Sequence, residues 1–265
     1  MSRWWIPPLL AVQFLTRLPV PGLNGLNAQT AKAGLAQSVV WFPVVGALVG
    51  AITAGVVLLT EQFWPRTVAV VLALIVEARL TGAFHEDAVA DFCDGFGGGM
   101  TPQRIHEIMK DSRIGSYGAV GLGLALALRA GLLIALPTPL ILPALLASAS
   151  FGRWMAVAIM ATIDPFQPSG EPANGLGAGL GKDVGARTSG TQWLVASGLT
   201  LPLIMPLVWS RAGPVCLGLG ASALFLLWFH RFLLRHLGGV TGDCLGFAVY
   251  LGQILMLLAA TAQML

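Results

Sequence analysis

The stretch Phe84-His85-Glu86-Asp87-Ala88-Val89-Ala90-Asp91-Phe92-Cys93-Asp94-Gly95 gathers three of the chain's seven aspartates. Their spacing, i, i+4 and i+7, puts Asp87, Asp91 and Asp94 on one face of a helix. Carboxylates stacked in this way repel one another, so a helix built for stability alone would avoid the pattern. One reading is a solvated acidic face. The other is a site for a divalent cation, or for a substrate carrying one, because hard carboxylate oxygens are the ligands Mg²⁺ prefers. His85, two residues before Asp87, could serve as a general base, a ligand or a supporting donor. His106, His230 and His236 have no partner signature and read as interfacial.

A second group follows at Lys110-Asp111-Ser112-Arg113-Ile114-Gly115-Ser116-Tyr117-Gly118. Cations beside a carboxylate and followed by glycines suit a diphosphate. Arg113 can hold phosphate oxygens bidentately, and Lys110 acts as a point charge. Asp111 can orient Arg113 or add a ligand. Spacing alone equally allows a surface ion-pair helix, with Arg104, Glu107 and Asp111 at i, i+3 and i+7. Asp243 lies in the glycine-rich run Gly238-Gly239-Val240-Thr241-Gly242-Asp243. Such a turn exposes backbone N–H groups that can hold phosphate, although a plain helix connector fits as well.

The elements that position these groups belong to a membrane protein. Only 10% of residues are charged, 56% are hydrophobic and the mean hydropathy is +0.79, against about 25% charged in a soluble domain. The expected fold class is all-α: one polytopic helical bundle over residues 1–265, about seven spans, with amphipathic interfacial helices. Expected spans cover 39–60, 67–84, 116–136, 140–162, 191–210, 214–230 and 247–265. The second runs straight into the aspartate stretch. Residues 4–16 read as an interfacial or re-entrant piece, and 17–38 as a loop. Thr101-Pro102 reads as N-cap and N1 of an amphipathic helix over about 102–111. The N-terminus lacks the pattern of a signal peptide. Cys93, Cys216 and Cys244 show neither disulfide nor zinc spacing. The net charge of +3 comes from scattered basic residues, so no nucleic-acid footprint is read. A homo-oligomer is compatible with the sequence.

Ten of the fifteen basic residues fall on one side of this arrangement and two, Arg66 and Arg211, on the other. The positive-inside rule then puts the N-terminus and the polar segments 85–115, 163–190 and 231–246 in the cytoplasm. Arg79, Arg129 and Arg153 lie within spans. A guanidinium halfway along a span costs several kcal/mol unless it is paired or hydrated. Arg153 in particular is expected to face a polar cavity that admits part of an anionic substrate. Glu77 and Arg79 are candidate partners or cavity-lining groups, with snorkelling the alternative for Arg79.

Four motifs in order resemble the cobalamin synthase family, the adenosylcobinamide-GDP ribazoletransferases. They are Phe14 to Pro21 (F-x-T-R-L-P-V-P), His85 to Gly95 (H-x-D-G-L-A-D-x-x-D-G), Met109 to Gly118 (M-x-D-S-R-x-G-x-x-G) and Gly238 to Gly246 (G-G-x-T-G-D-x-L-G). Ala88 and Val89 stand where the family has Gly-Leu, and a methyl at 88 would tighten a helix contact or crowd substrate. The resemblance implies a bacterial inner-membrane enzyme dependent on Mg²⁺. The hydroxyl of α-ribazole, or of its 5′-phosphate, attacks the phosphorus joined to cobinamide, and GMP leaves. On that reading Asp87, Asp91 and Asp94 hold the metal, His85 or a free aspartate oxygen takes the proton, and Lys110, Asp111, Arg113, Arg153 and Asp243 meet the substrate.

Two other readings compete. A CDP-alcohol phosphotransferase also uses membrane-embedded aspartates, but its D-G-x-x-A-R motif and its later paired aspartates are not found here. A cation transporter built on Glu77, Arg129 and Arg153 predicts an inverted repeat, and no matching second half stands out.

Overall fold

The computed structural model describes residues 4–168 and 188–263, and the regular elements among them are helical. They are α1 (Ile6–Leu15), α2 (Ala28–Ser38), α3 (Phe42–Thr60), α4 (Arg66–Thr81), α5 (Phe84–Gly98), α6 (Pro102–Met109), α7 (Ser116–Ala135), α8 (Thr138–Thr162), α9 (Gly190–Ser210), α10 (Ala212–His236) and α11 (Gly242–Thr261). Six helical segments are long and apolar enough to cross a membrane, counting α2 and α3 with the short 3₁₀ turn Val39–Trp41 as one. The pair α4–α5, bent by 88°, would be a seventh.

Helices α8 and α11 form the centre, most of their residues being buried, whereas α7 and α9 are peripheral. Small residues permit the close crossings. Gly46 and Gly50 on α3 meet the Ala149 and Leu145 carbonyls of α8, and Gly152 on α8 meets the Val249 carbonyl of α11. No side chain would fit at these points. This is how helices associate in lipid, where apolar burial alone drives little.

Several expectations change. The span expected over 67–84 is broken: α4 ends at Thr81, and Gly82 (φ +74°) and Ala83 (φ +55°) turn the chain before α5 begins. Left-handed backbone is ordinary for Gly82 but costs about 1 kcal/mol or more at Ala83. The Ala83 N–H is held by the Ala78 carbonyl at 2.8 Å. Residues 17–38 are not all loop, because Asn27 caps α2 by accepting the Thr30 N–H at 2.8 Å. The Gly238–Gly246 run is only half a turn: Thr241 caps α11, so Asp243 lies in the first turn of a helix. Helix α6 starts as expected, with Thr101 as N-cap and Pro102 at N1, and ends at Met109.

Segments 85–115 and 231–246 meet at one end of the bundle, where Lys110 pairs with Asp243. Phe166 N–H donates to the Val240 carbonyl and Val240 N–H to the Asp164 carbonyl, tying the end of α8 to the start of α11. The opposite end holds Glu61 and Arg66, with Arg66 also donating to the Leu136 carbonyl, and Arg211 donating to that of Ala262.

Candidate active site

The aspartate helix α5 lies between α7 and α11, and each contact is set by residues already singled out. Asp94 accepts the Gly115 N–H at 2.6 Å and the Gly118 N–H at 2.8 Å, one on each carboxylate oxygen. It therefore caps α7, where a carboxylate is favoured by the exposed amides and the helix dipole. A Cβ at Gly115 or Gly118 would occupy the place of that carboxylate. On the other side Ala88 packs against Gly246 of α11 and is buried. The methyl at 88 thus tightens a helix contact. Phe92 stacks on Phe247 at 3.9 Å between centroids.

Asp87 is exposed, and Asp91 is half-buried with the carboxylates of Asp87, Asp243 and Asp94 as its acidic neighbours. The opposing charge is Lys110, whose Nζ donates to Asp243 Oδ2 at 2.9 Å. Asp243 thus joins the aspartate face from α11, and Lys110 from the end of α6. Arg113 is exposed and donates to both oxygens of Asp111, at 3.0 and 2.7 Å. These bonds hold the Asp111 carboxyl down at about 2.

Two expected site residues lie elsewhere. His85 is buried, and the charges it faces are the guanidinium groups of Arg153 and Arg129. The structure does not bring it to the exposed Asp87. Arg153 is also buried. Its Nη1 donates only to the Ala149 carbonyl of its own helix, while Nε and Nη2 have no partner among the described residues. Arg129, in contrast, is paired with carboxylates, although its Nε has no partner among the described residues. Its Nη2 donates to Glu77 Oε1 at 2.6 Å and to Gln253 Oε1 at 3.0 Å, and its Nη1 lies 3.6 Å from Glu86 Oε1. Glu77 accepts a further bond from Thr53 at 2.8 Å. This buried network joins α3, α4, α5, α7 and α11 around the break between α4 and α5. Arg79 is exposed and takes no part.

One residue at the site was not among those expected there. Arg17 N–H donates to the Leu80 carbonyl at 2.6 Å, and its guanidinium lies over Gly82, where a Cβ would strike it. Phe14, three residues earlier, stacks on Phe42 and meets the edge of Phe84. The N-terminal motif therefore braces the corner from which α5 leaves. Its conjunction with Gly82 is long-range, and the only signal was the unusual Thr-Arg-Leu-Pro run.

Among the described residues, no three His, Cys, Asp or Glu side chains form a preassembled metal cage. The donor chemistry nevertheless suits Mg²⁺, which is usually held by one or two carboxylates together with substrate phosphates. Asp87 and Asp91 supply hard oxygens on the open side of α5, with Asp243 beside Asp91, whereas Asp94 is committed to α7.

A family model described as cobalamin-5-phosphate synthase matches residues 7–261. The chain is 38% identical to an adenosylcobinamide-GDP ribazoletransferase of Ralstonia pickettii, over all of this chain and 98% of that one. It is 37% identical to one from Vibrio cholerae, over 96% and 92%, and 38% identical to one from Bradyrhizobium diazoefficiens over the same shares. No solved structure matches. The four motifs meet at one end of the bundle, and the match runs through nearly every helix: the chain belongs to the cobalamin-5-phosphate synthase family.

Proposed function

We propose that this protein joins the two halves of cobalamin at the cytoplasmic face of a bacterial inner membrane. The hydroxyl of α-ribazole, or of its 5′-phosphate, attacks the phosphorus attached to the cobinamide of adenosylcobinamide-GDP. A new P–O bond forms, the P–O bond to GMP breaks, GMP leaves with its electron pair, and the hydroxyl proton passes to a base. The observation that carries the reading is the meeting of Asp87, Asp91, Asp243 and Lys110 beside Arg113, a set suited to a diphosphate and its counter-ion.

Phosphoryl transfer depends mainly on positioning and on stabilising charge. Mg²⁺, held by Asp87 and Asp91 with Asp243 nearby, would neutralise charge on the diphosphate. Lys110 and Arg113, whose own side chains are exposed, bind phosphate oxygens, each exchanging its carboxylate partner, Asp243 or Asp111. A free oxygen of Asp91 or Asp87 accepts the hydroxyl proton, since His85 is buried on the side of Arg153 and Arg129. Asp94 holds the start of α7 in place and so sets where Arg113 and Gly115 stand. Arg153, buried inside the bundle away from the open aspartate face, is given no substrate contact.

The test is GMP release from adenosylcobinamide-GDP by purified protein in proteoliposomes, with α-ribazole and its 5′-phosphate compared as acceptors. Formation of adenosylcobalamin or its phosphate in step with GMP supports the reading. Ion flux without GMP release refutes it.

A further inference from the structure

Beside Asp94 a cleft of about 490 Å³ opens between α6 and the start of α7, within the range of small-molecule sites. Its lining is mixed in a particular way. Tyr117 and Ile108 supply a flat apolar surface, and Glu107 and Arg113 supply charge. The Tyr117 ring packs against Gly97, where a Cβ would collide with it, yet the residue is 59% exposed. The ring is therefore braced by α5 and open to a stacking partner. Glu107 is paired with Arg104 at 3.1 Å, both side chains being 63% exposed. A pair so exposed is weak and readily exchanged.

A ring free to stack, with a carboxylate and an arginine in the same lining, suits a nucleotide whose base presents two adjacent donors. Guanine is such a base. Its N1–H and N2 amine match the two oxygens of a carboxylate, whereas adenine offers an acceptor at N1. Purines stack on tyrosine whatever their edge. We propose that this cleft holds the guanine of the leaving nucleotide, with Tyr117 stacking on the base and Glu107 reading its N1–H and N2 amine. Arg113, at the rim, binds the phosphate that leads back to Lys110 and the aspartates. This inference rests on the ribazole-transfer reading for its choice of nucleotide.

The test is equilibrium binding of GMP, IMP and AMP to the full-length protein in nanodiscs, run beside GMP release from adenosylcobinamide-GDP. Wild type is expected to prefer GMP to AMP. In Glu107→Gln the preference should collapse, with GMP binding weakened about tenfold or more, an amount typical of one lost charged contact. Tyr117→Ala should weaken all three nucleotides, and Tyr117→Phe should restore them. In turnover, Glu107→Gln should raise KM and leave kcat nearly unchanged. If Glu107→Gln and Tyr117→Ala bind all three nucleotides as wild type does while GMP is still released, the cleft is not the base site and the transfer reading stands. If wild type selects GMP through these residues but releases none from adenosylcobinamide-GDP, the transfer reading falls.

Discussion

The carboxylate of Asp94 is bound on both oxygens by the amides that open α7, with Gly118 at 2.8 Å and Gly115 at 2.6 Å. This separates Asp94 from the other two aspartates of its helix. Asp94→Asn replaces one acceptor by an NH₂ group that faces an N–H. It should lower stability by about 1–2 kcal/mol, the scale of a lost helix cap. Gly118→Ala should do at least as much, because no space exists beside Asp94 and the Ala90 carbonyl. Thermal unfolding in detergent, followed by size-exclusion chromatography, checks both. Asp87→Asn should leave the midpoint unchanged.

The buried Arg129–Glu77 pair makes a second prediction. Arg129→Leu takes from Glu77 the guanidinium bonded to it and leaves Arg153 as the remaining counter-charge, and removing one partner of a buried pair costs about 3–5 kcal/mol. The variant should be poorly recovered from membranes. Replacing both, as Arg129→Met with Glu77→Met, should recover much of the loss. Recovery of the single variant equal to that of the double would show that the pair is not what holds α4, α5 and α7 together.

Much of this was legible in the sequence, and the failures have physical causes. The long apolar helices follow from hydropathy, and the start of α6 follows from Thr101-Pro102. The break at Gly82 and Ala83 does not, because hydropathy runs on across it and alanine has no left-handed preference. Helix α2 was hidden by the Pro- and Gly-rich residues before it, although Asn27 was an available cap. The glycines around Thr241 concealed another cap and moved Asp243 from a loop to a helix. The three aspartates do share one helix, α5, but spacing cannot say that Asp94 turns to α7 or that Asp243 arrives beside Asp91. Those relations, like Arg17 over Gly82, exist only once distant segments meet.

Arg17 tests the corner directly. Arg17→Ala removes the guanidinium over Gly82 but keeps the backbone bond to Leu80, so α5 should still fold while its orientation loosens. Turnover should fall about tenfold with the unfolding midpoint nearly unchanged, since about 1.4 kcal/mol of misplacement is enough. Gly82→Ala should be worse, because the φ of +74° and the Arg17 side chain both oppose a Cβ. A full-speed Gly82→Ala would dismiss the corner as a determinant of the site.

Sidedness is checked by labelling single cysteines after Cys93, Cys216 and Cys244 are replaced. A cysteine at Ser112 should react with an impermeant thiol reagent only when the cytoplasmic side is exposed. One at Thr138, at the opposite end, should react from outside in intact cells. The reverse pattern would invert the protein in the membrane.

The most direct measurement is the Mg²⁺ dependence of GMP release by Asp91→Asn, set against wild type and Asp94→Asn in the same proteoliposomes. Asp91→Asn keeps size, removes charge and relieves repulsion from Asp87 and Asp243, so the protein should fold at least as well as wild type. Its turnover should fall at least about 10²-fold, roughly 2.7 kcal/mol of transition-state stabilisation, and more Mg²⁺ should partly restore it. Asp94→Asn should lose stability, and added Mg²⁺ should not rescue it. Near-normal turnover by Asp91→Asn with an unchanged Mg²⁺ dependence would contradict the account and leave the aspartates as a solvated acidic face.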